Sequence, residues 1–222
     1  MDADLSTAPI AIVGLLGGEW FGHRAEQVLR RADVLIGHAE QFALLAPDIT
    51  GERVELWGDL GAVVDRAVDE RAAGRQPCIL AAGDPGFHGM VRFAARRLGE
   101  DGIAVHPAPS SVALAFARVG TSWDDAVVAS AYAEQPDDVV AAVLAHAKVA
   151  VLVSRRLPPR ALGVALIEAG CSPRSVTICT RLGEPDEQII RTDLAGLAGG
   201  DFAHLSVVVL QGVDGRGDDA GT

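Results

Sequence analysis

Cys78-Ile79-Leu80-Ala81-Ala82-Gly83-Asp84-Pro85-Gly86-Phe87-His88-Gly89 is the stretch on which the fold turns. Its first five residues are continuously apolar, the pattern of a strand buried on both faces. Gly83-Asp84-Pro85-Gly86 then breaks any regular element. Met90 to Leu98 follows with helical spacing. Strand, glycine-rich turn and helix in that order form the repeating unit of a parallel α/β sheet. In such sheets ligands bind beyond the carboxyl ends of the strands, where this turn lies. Gly83, Gly86 and Gly89 allow close approach of backbone to a ligand. Asp84 has two readings: acceptor for an ammonium or hydroxyl, or N-cap of the helix that follows.

The same unit recurs on either side. Pro9 to Val13 is a short buried strand, and Gly14-Leu15-Leu16-Gly17-Gly18 a glycine-rich turn. Ala25, Val28, Leu29 and Ala32 have helical spacing, and Val34 to Ile36 returns as a strand. The first turn fails the G-x-G-x-x-G dinucleotide pattern because Leu16 stands at the second glycine. Leu60 to Ala73 reads as a helix, Ile103 to His106 as a strand and Ser110 to Val119 as a helix. Between the last two, Pro107-Ala108-Pro109-Ser110-Ser111 is a stiff turn. Its serines either cap the helix or offer hydroxyls to a ligand carboxylate.

The polar stretch Gly120 to Asp125 predicts a boundary, with an N-terminal α/β domain over residues 1–121 and a C-terminal one over 122–213. In the second domain, strands are expected at Val127 to Ser130, Val149 to Val153, Val176 to Thr180, Gln188 to Ile190 and Leu205 to Leu210. Helices are expected at Asp137 to His146 and Pro159 to Ala169, the latter opened by proline and stopped by Gly170. Met1 to Ala8 reads as a flexible leader and 214–222 as a disordered tail.

Composition narrows the partners. Of 222 residues 49% are hydrophobic, enough to bury a real core, and the formal charge of -11 disfavours nucleic acid. Lys148 is the sole lysine, so anion recognition falls to arginine. Cys78, Cys171 and Cys179 are odd in number and form no C-x-x-C pair, which argues against disulfides and a metal site and for free thiols in a reducing cytoplasm. No signal-peptide pattern is visible at the N-terminus. The most apolar stretch, Val139 to Val153, is interrupted by His146 and Lys148, so no membrane span is expected.

Taken in order, the glycine-rich first loop, G-D-P-x-F-x-G over Gly83 to Gly89, and the Pro107 to Ser111 turn resemble the tetrapyrrole methylase superfamily. Ser111 to Gly120 followed by Trp123-Asp124-Asp125-Ala126, Ala32 to Gly37, and Arg181-Leu182-Gly183-Glu184-Pro185-Asp186-Glu187 are similar to the precorrin-6Y C5,15-methyltransferase group, specifically its C5-methylating domain. The likeness runs from about Ile10 to Leu210.

It implies two α/β domains, each with a mainly parallel sheet flanked by helices, and S-adenosyl-L-methionine in the cleft between them. It implies C5 methylation of a precorrin intermediate of cobalamin biosynthesis. A homodimer is implied, as is a C15-methylating, decarboxylating activity housed in a separate fold. By matching position, the cofactor contacts would be Ala82, Gly83, Asp84, Phe87, His88, Gly89, Ser110, Ser111, Ala131, Tyr132 and Thr180. No catalytic acid or base is assigned; His88 and Tyr132 are the candidate proton acceptors. Arg92, Arg96, Arg118, Arg155 and Arg156 are candidates for holding substrate carboxylates.

The departures bear on function. Relatives commonly read S-x-H-G-R where this chain has Ser130-Ala131-Tyr132-Ala133-Glu134, so a carboxylate replaces an arginine. That leaves open a homologue with another substrate or with a non-catalytic, cofactor-binding scaffold role. A nicotinamide-dependent oxidoreductase is the third reading, weakened by Leu16.

Overall fold

The computed structural model describes residues 8–56, 58–87, 89–203 and 206–213. The expected leader (apart from Ala8), the tail and His88 lie outside the described residues. The chain forms two compact units that divide between Ser110 and Ser111.

The first unit contains β1 (Ile10–Leu15), α1 (His23–Arg31), β2 (Val34–Gly37), α2 (Ala39–Leu44), β3 (Glu52–Glu55), α3 (Leu60–Ala72), β4 (Pro77–Ala82), α4 (Met90–Leu98) and β5 (Ile103–His106). All five strands are parallel, in the order β3-β2-β4-β1-β5. Successive side chains of a strand point to opposite faces. In β1, Val13 and Leu15 join Leu29 of α1 and Phe42 of α2 in one core. Ile10 and Ile12 join Val63, Val64 and Ala67 of α3 and Ala94 of α4 in another. A sheet covered on both faces explains why β1 and β4 read as unbroken apolar runs. At the sheet edge, β3 carries Glu52, Arg53 and Glu55 and is mostly exposed. It has no apolar alternation, so it was invisible to the sequence; such charge also guards an edge against further pairing.

The second unit contains α5 (Ser111–Val119), β6 (Val127–Ser130), α6 (Pro136–Ala145), β7 (Lys148–Leu152), α7 (Pro159–Glu168), β8 (Arg174–Thr180), β9 (Gln188–Asp193), α8 (Leu194–Gly199) and β10 (Ser206–Gly212). Its strand order is β6-β7-β10-β8-β9. Here the expectation of a mainly parallel sheet is corrected. Only β6 and β7 pair in parallel; β7–β10, β10–β8 and β8–β9 are antiparallel. The physical cause is in the connections. A seven-residue turn, Arg181 to Glu187, joins β8 to β9 with Arg181 at φ 52 and Gly183 at φ 80, too short for the helical crossover a parallel pair requires.

α5 belongs with this second unit, whereas the sequence reading placed it before the boundary. Its Phe116 ring stacks on Trp123 at 6.0 Å, and Arg118 pairs with Glu187. The opposite face of the sheet packs on α6, α7 and α8 through Val143, Leu162, Leu166 and Leu197. Gly163 lets α7 and α8 touch: a Cβ there would lie 2.6 Å from the Ala198 nitrogen. Among the described residues no helix is long and apolar enough to cross a membrane.

Candidate functional site

Gly14 is where the loops of the first unit meet. A Cβ on this residue would stand 2.1 Å from the Gly83 oxygen, 2.7 Å from the Ala108 nitrogen and 2.9 Å from Pro85 Cδ. The turn after β4 and the turn after β5 are thus both pressed against the end of β1, and only glycine fits there. The three motifs quoted from the sequence therefore converge at the carboxyl ends of three adjacent parallel strands.

The local bonding explains the shape. The Gly83 N–H donates to the Leu15 carbonyl at 2.7 Å, with Gly83 at φ 65, a conformation that favours glycine. Asp84 Oδ1 accepts from the Gly86 N–H at 2.8 Å, and the Asp84 carbonyl accepts from the Phe87 N–H at 3.0 Å. Asp84 therefore closes its own turn and does not cap α4. The residue at that cap position is Gly89, at φ 124, with no side-chain cap. Asp84 Oδ2 has no partner among the described residues. Ala82 is exposed at the end of β4, while Phe87 and Gly89 are half-buried.

The first loop is not a phosphate cradle. β1 runs on through Gly14 and Leu15, and Leu16 and Glu19 exchange two backbone hydrogen bonds of 2.9 Å around Gly17 and Gly18 at φ 56 and 84. That is a tight two-residue hairpin turn. α1 begins only at His23, so no helix N-terminus follows directly on the glycines.

Ser110 is the last residue of the first unit and Ser111 the first of α5; both are half-buried. Within the second unit, Ser130, Leu152 and Thr180 end β6, β7 and β8 on one edge of the sheet, since all three strands run the same way. Ala131 and Tyr132 continue from Ser130. Their environments differ. Ala131 is buried in the core, its N–H donates to Leu152 and its carbonyl accepts from Ser154 Oγ and Arg156. Tyr132 is 56% exposed. Thr180 is buried, its hydroxyl 2.9 Å from Ser206 Oγ. Ser130 is 1% exposed, and its Oγ is buried with no hydrogen-bond partner.

The altered segment has a structural explanation that sequence reasoning missed. Glu134 Oε1 accepts from the Ser130 N–H at 2.8 Å, and the Glu134 N–H donates to the Ser130 carbonyl at 2.9 Å. The carboxylate folds back on its own turn. Arg156 donates to the Ala131 and Glu134 carbonyls and so pins the turn from outside. Of the arginines proposed for substrate, Arg156 is thereby engaged, and Arg118 is bidentate on Glu187. Arg92 and Arg96 stand exposed on α4. The only advance signal was the i, i+4 spacing of Ser130 and Glu134, too common to single out.

Comparison with known proteins gives a consistent result. The family model for Tetrapyrrole (Corrin/Porphyrin) Methylases matches residues 10–198. A decarboxylating precorrin-6Y C(5,15)-methyltransferase of Sinorhizobium sp is 32% identical over 196 residues, 84% of this chain and 47% of that protein. The cobalt-precorrin-7 C(5)-methyltransferase of Salmonella typhimurium is 27% identical over 189 residues, 84% of this chain and 90% of its own. The chain thus spans about half the length of the first of these relatives. Among solved structures, a cobalt precorrin-4 methyltransferase shares the fold with a TM-score of 0.73 at 19% identity, over 95% of this chain and 97% of that one. The precorrin-6Y methylase of Archaeoglobus fulgidus does so with a TM-score of 0.69 at 23% identity, over 92% and 97%. With the family match extending over most of its length, the chain belongs to the tetrapyrrole methylase family, a family of methyltransferases.

Proposed function

We propose that this chain is an S-adenosylmethionine-dependent C-methyltransferase of cobalamin biosynthesis that methylates C5 of a precorrin ring. The observation that carries the reading is the convergence of the first loop, the Gly83–Gly89 turn and the Pro107–Ser110 turn on Gly14. Family membership supports the chemistry, and the relatives named above support the substrate class and the carbon. A uroporphyrin-III C-methyltransferase from Thermus thermophilus, of the same fold, has been solved with S-adenosylhomocysteine.

The residues present fit such a cofactor. Asp84 holds one carboxylate oxygen in its turn and keeps the other for an ammonium or hydroxyl donor. Exposed Ala82 and the glycines beside it leave backbone groups open to a ligand. Within the second unit, Ser111 and Tyr132 carry hydroxyls, and the unpartnered Ser130 Oγ is a polar group at the ends of its strands. Phe87 and Gly89, both half-buried, are the further described residues of this loop, and His88 remains a cofactor contact by resemblance alone. Ala131 and Thr180 serve as supports, since their polar atoms are already engaged.

When bound, S-adenosylmethionine supplies a methyl group already activated on sulfonium, so attack by an electron-rich ring carbon makes the C–C bond as the C–S bond breaks and its electron pair stays on sulfur. The chain then has to align the partners and keep water away, which lowers a barrier by several kcal/mol without a strong acid or base. This accounts for the lack of a triad or paired-carboxylate pattern in the sequence.

The test has two readouts. S-adenosylhomocysteine at ~100 times its Kd should stabilise the fold by ~2.7 kcal/mol, seen as a rising melting temperature, and Asp84→Ala should weaken that response. Incubation with a methyl-labelled cofactor and the precorrin substrate should place the label on C5. A flat melting series defeats the cofactor assignment; label on another carbon defeats the position.

A further inference from the structure

A cavity lies along α1 and reaches His106, the last residue of β5 before the turn that meets Gly14. It encloses about 390 Å³, within the range of small-molecule sites. Arg24, Gln27 and Arg31 of α1 line it, with Arg71 at the end of α3, Arg75 in the turn before β4 and His106 at the end of β5. Among the described residues that line it none is a carboxylate. In a chain of formal charge -11, four arginines on one cavity is a local reversal of sign.

Their pairing sharpens the point. Arg75 is neutralised by Glu52 at 2.5 Å and Glu70 at 3.0 Å, and Arg71 donates to the Ala8 carbonyl. Arg24 and Arg31 have no hydrogen bond or ion pair among the described residues. The neighbouring imidazole feels this: burial, and after it the charge of Arg24, hold His106 below the ordinary histidine range. Residues i and i+7 share one face of a helix. Two turns separate Arg24 from Arg31, roughly 10 Å along the axis. The two free guanidiniums are therefore spaced anchors on one wall of one cavity. A single small anion would meet only one of them; a ligand with separated oxyanion groups meets both.

We infer that this cavity binds a small polyanion carrying at least two oxyanion groups, held by Arg24 and Arg31 with Gln27 between them. Phosphoryl and carboxylate groups share this chemistry, since each accepts from a planar guanidinium in bidentate fashion. The inference does not depend on the methyltransferase reading.

The experiment is calorimetric titration of the full chain with inorganic tripolyphosphate and, separately, with citrate. The expected result is saturable binding of one equivalent of at least one probe, weakened roughly tenfold or more in Arg24→Gln and again in Arg31→Gln, as loss of a charge-assisted hydrogen bond requires. Tripolyphosphate alone identifies a phosphorylated ligand and citrate alone a polycarboxylate. S-adenosylhomocysteine binding should be the same in both variants, which shows them folded and separates this site from the loops at Gly14. No saturable binding of either probe at millimolar concentration overturns the inference. So does binding that both variants retain unchanged, because the ligand would then sit elsewhere.

Discussion

Glu187 shows how one side chain can tie three segments together. Its carboxylate takes both Arg118 nitrogens, at 2.5 and 3.1 Å, and the Gly183 N–H at 2.8 Å. The Arg118 guanidinium, and after it that N–H, hold the carboxyl below the usual glutamate range. A carboxylate whose acidity is raised by folding adds stability above its ordinary value, and the gain is lost as pH falls through the lowered one. Urea unfolding from pH 6 to 3 should therefore show an acid-side loss of stability that Glu187→Gln makes shallower; an unchanged slope would show the pair to be solvent-screened. Gly14 is the second residue of this kind. Gly14→Ala drives a methyl into the Gly83 carbonyl, and the overpacking should cost about 1–3 kcal/mol. The same variant should lose the S-adenosylhomocysteine response, because the methyl separates the three loops. Ala at the exposed Gly58, where nothing lies within 4 Å, tests general damage, since it strains only its own positive φ.

Among the elements, the turn after β6 carries Glu134 where the resemblance leads one to expect an arginine, and its geometry changes the expected effect of that exchange. Glu134 satisfies the Ser130 N–H, a backbone donor that would otherwise lack a partner at the end of β6. Replacing it by alanine should cost about 1–3 kcal/mol of stability. Glu134→Arg, the residue expected from the S-x-H-G-R pattern, should destabilise to a similar degree, because the guanidinium cannot accept that bond. Chemical unfolding of both variants decides this; Glu134→Arg as stable as the native chain would show the hydrogen bond to be dispensable. The exposed Tyr132 rides on this turn, so its placement depends on Glu134 and Arg156 together.

Across the whole molecule the three thiols report on the two units. Burial pushes the Cys78 thiol up to about 12 and the Cys179 thiol up to about 11, the first in the sheet of the first unit and the second in β8. Cys171, after α7, is half-buried. The reactive species is the thiolate, so a disulfide reagent at neutral pH should label Cys171 first and the other two only as each unit opens. Mass mapping of the labelled peptides under rising urea would report the units separately. Simultaneous early labelling of Cys78 would contradict the tight first sheet.

How far the sequence reached can be argued from particular segments. The continuous apolar runs in β1 and β4 and the Gly-Asp-Pro-Gly break between β4 and α4 determined the parallel α/β character of the first unit, because burial on both faces leaves a mark on every residue. The motif order likewise determined the family. Four things were decided only in three dimensions. The second sheet became largely antiparallel because a short turn joins β8 to β9, and apolar runs such as Val176 to Cys179 look the same in either direction. α5 joined the second unit through Phe116 and Arg118, whose partners lie up to 73 residues away in the chain. Glu134 turned inward to Ser130, a choice made by one unsatisfied N–H rather than by the residue's charge. Arg24 and Arg31 came to line a cavity with residues more than 40 positions distant. Periodicity and turn chemistry act between neighbours in the chain and are legible there. Strand direction, ion pairing and cavities depend on which distant segments meet, and only the packed structure brings them together.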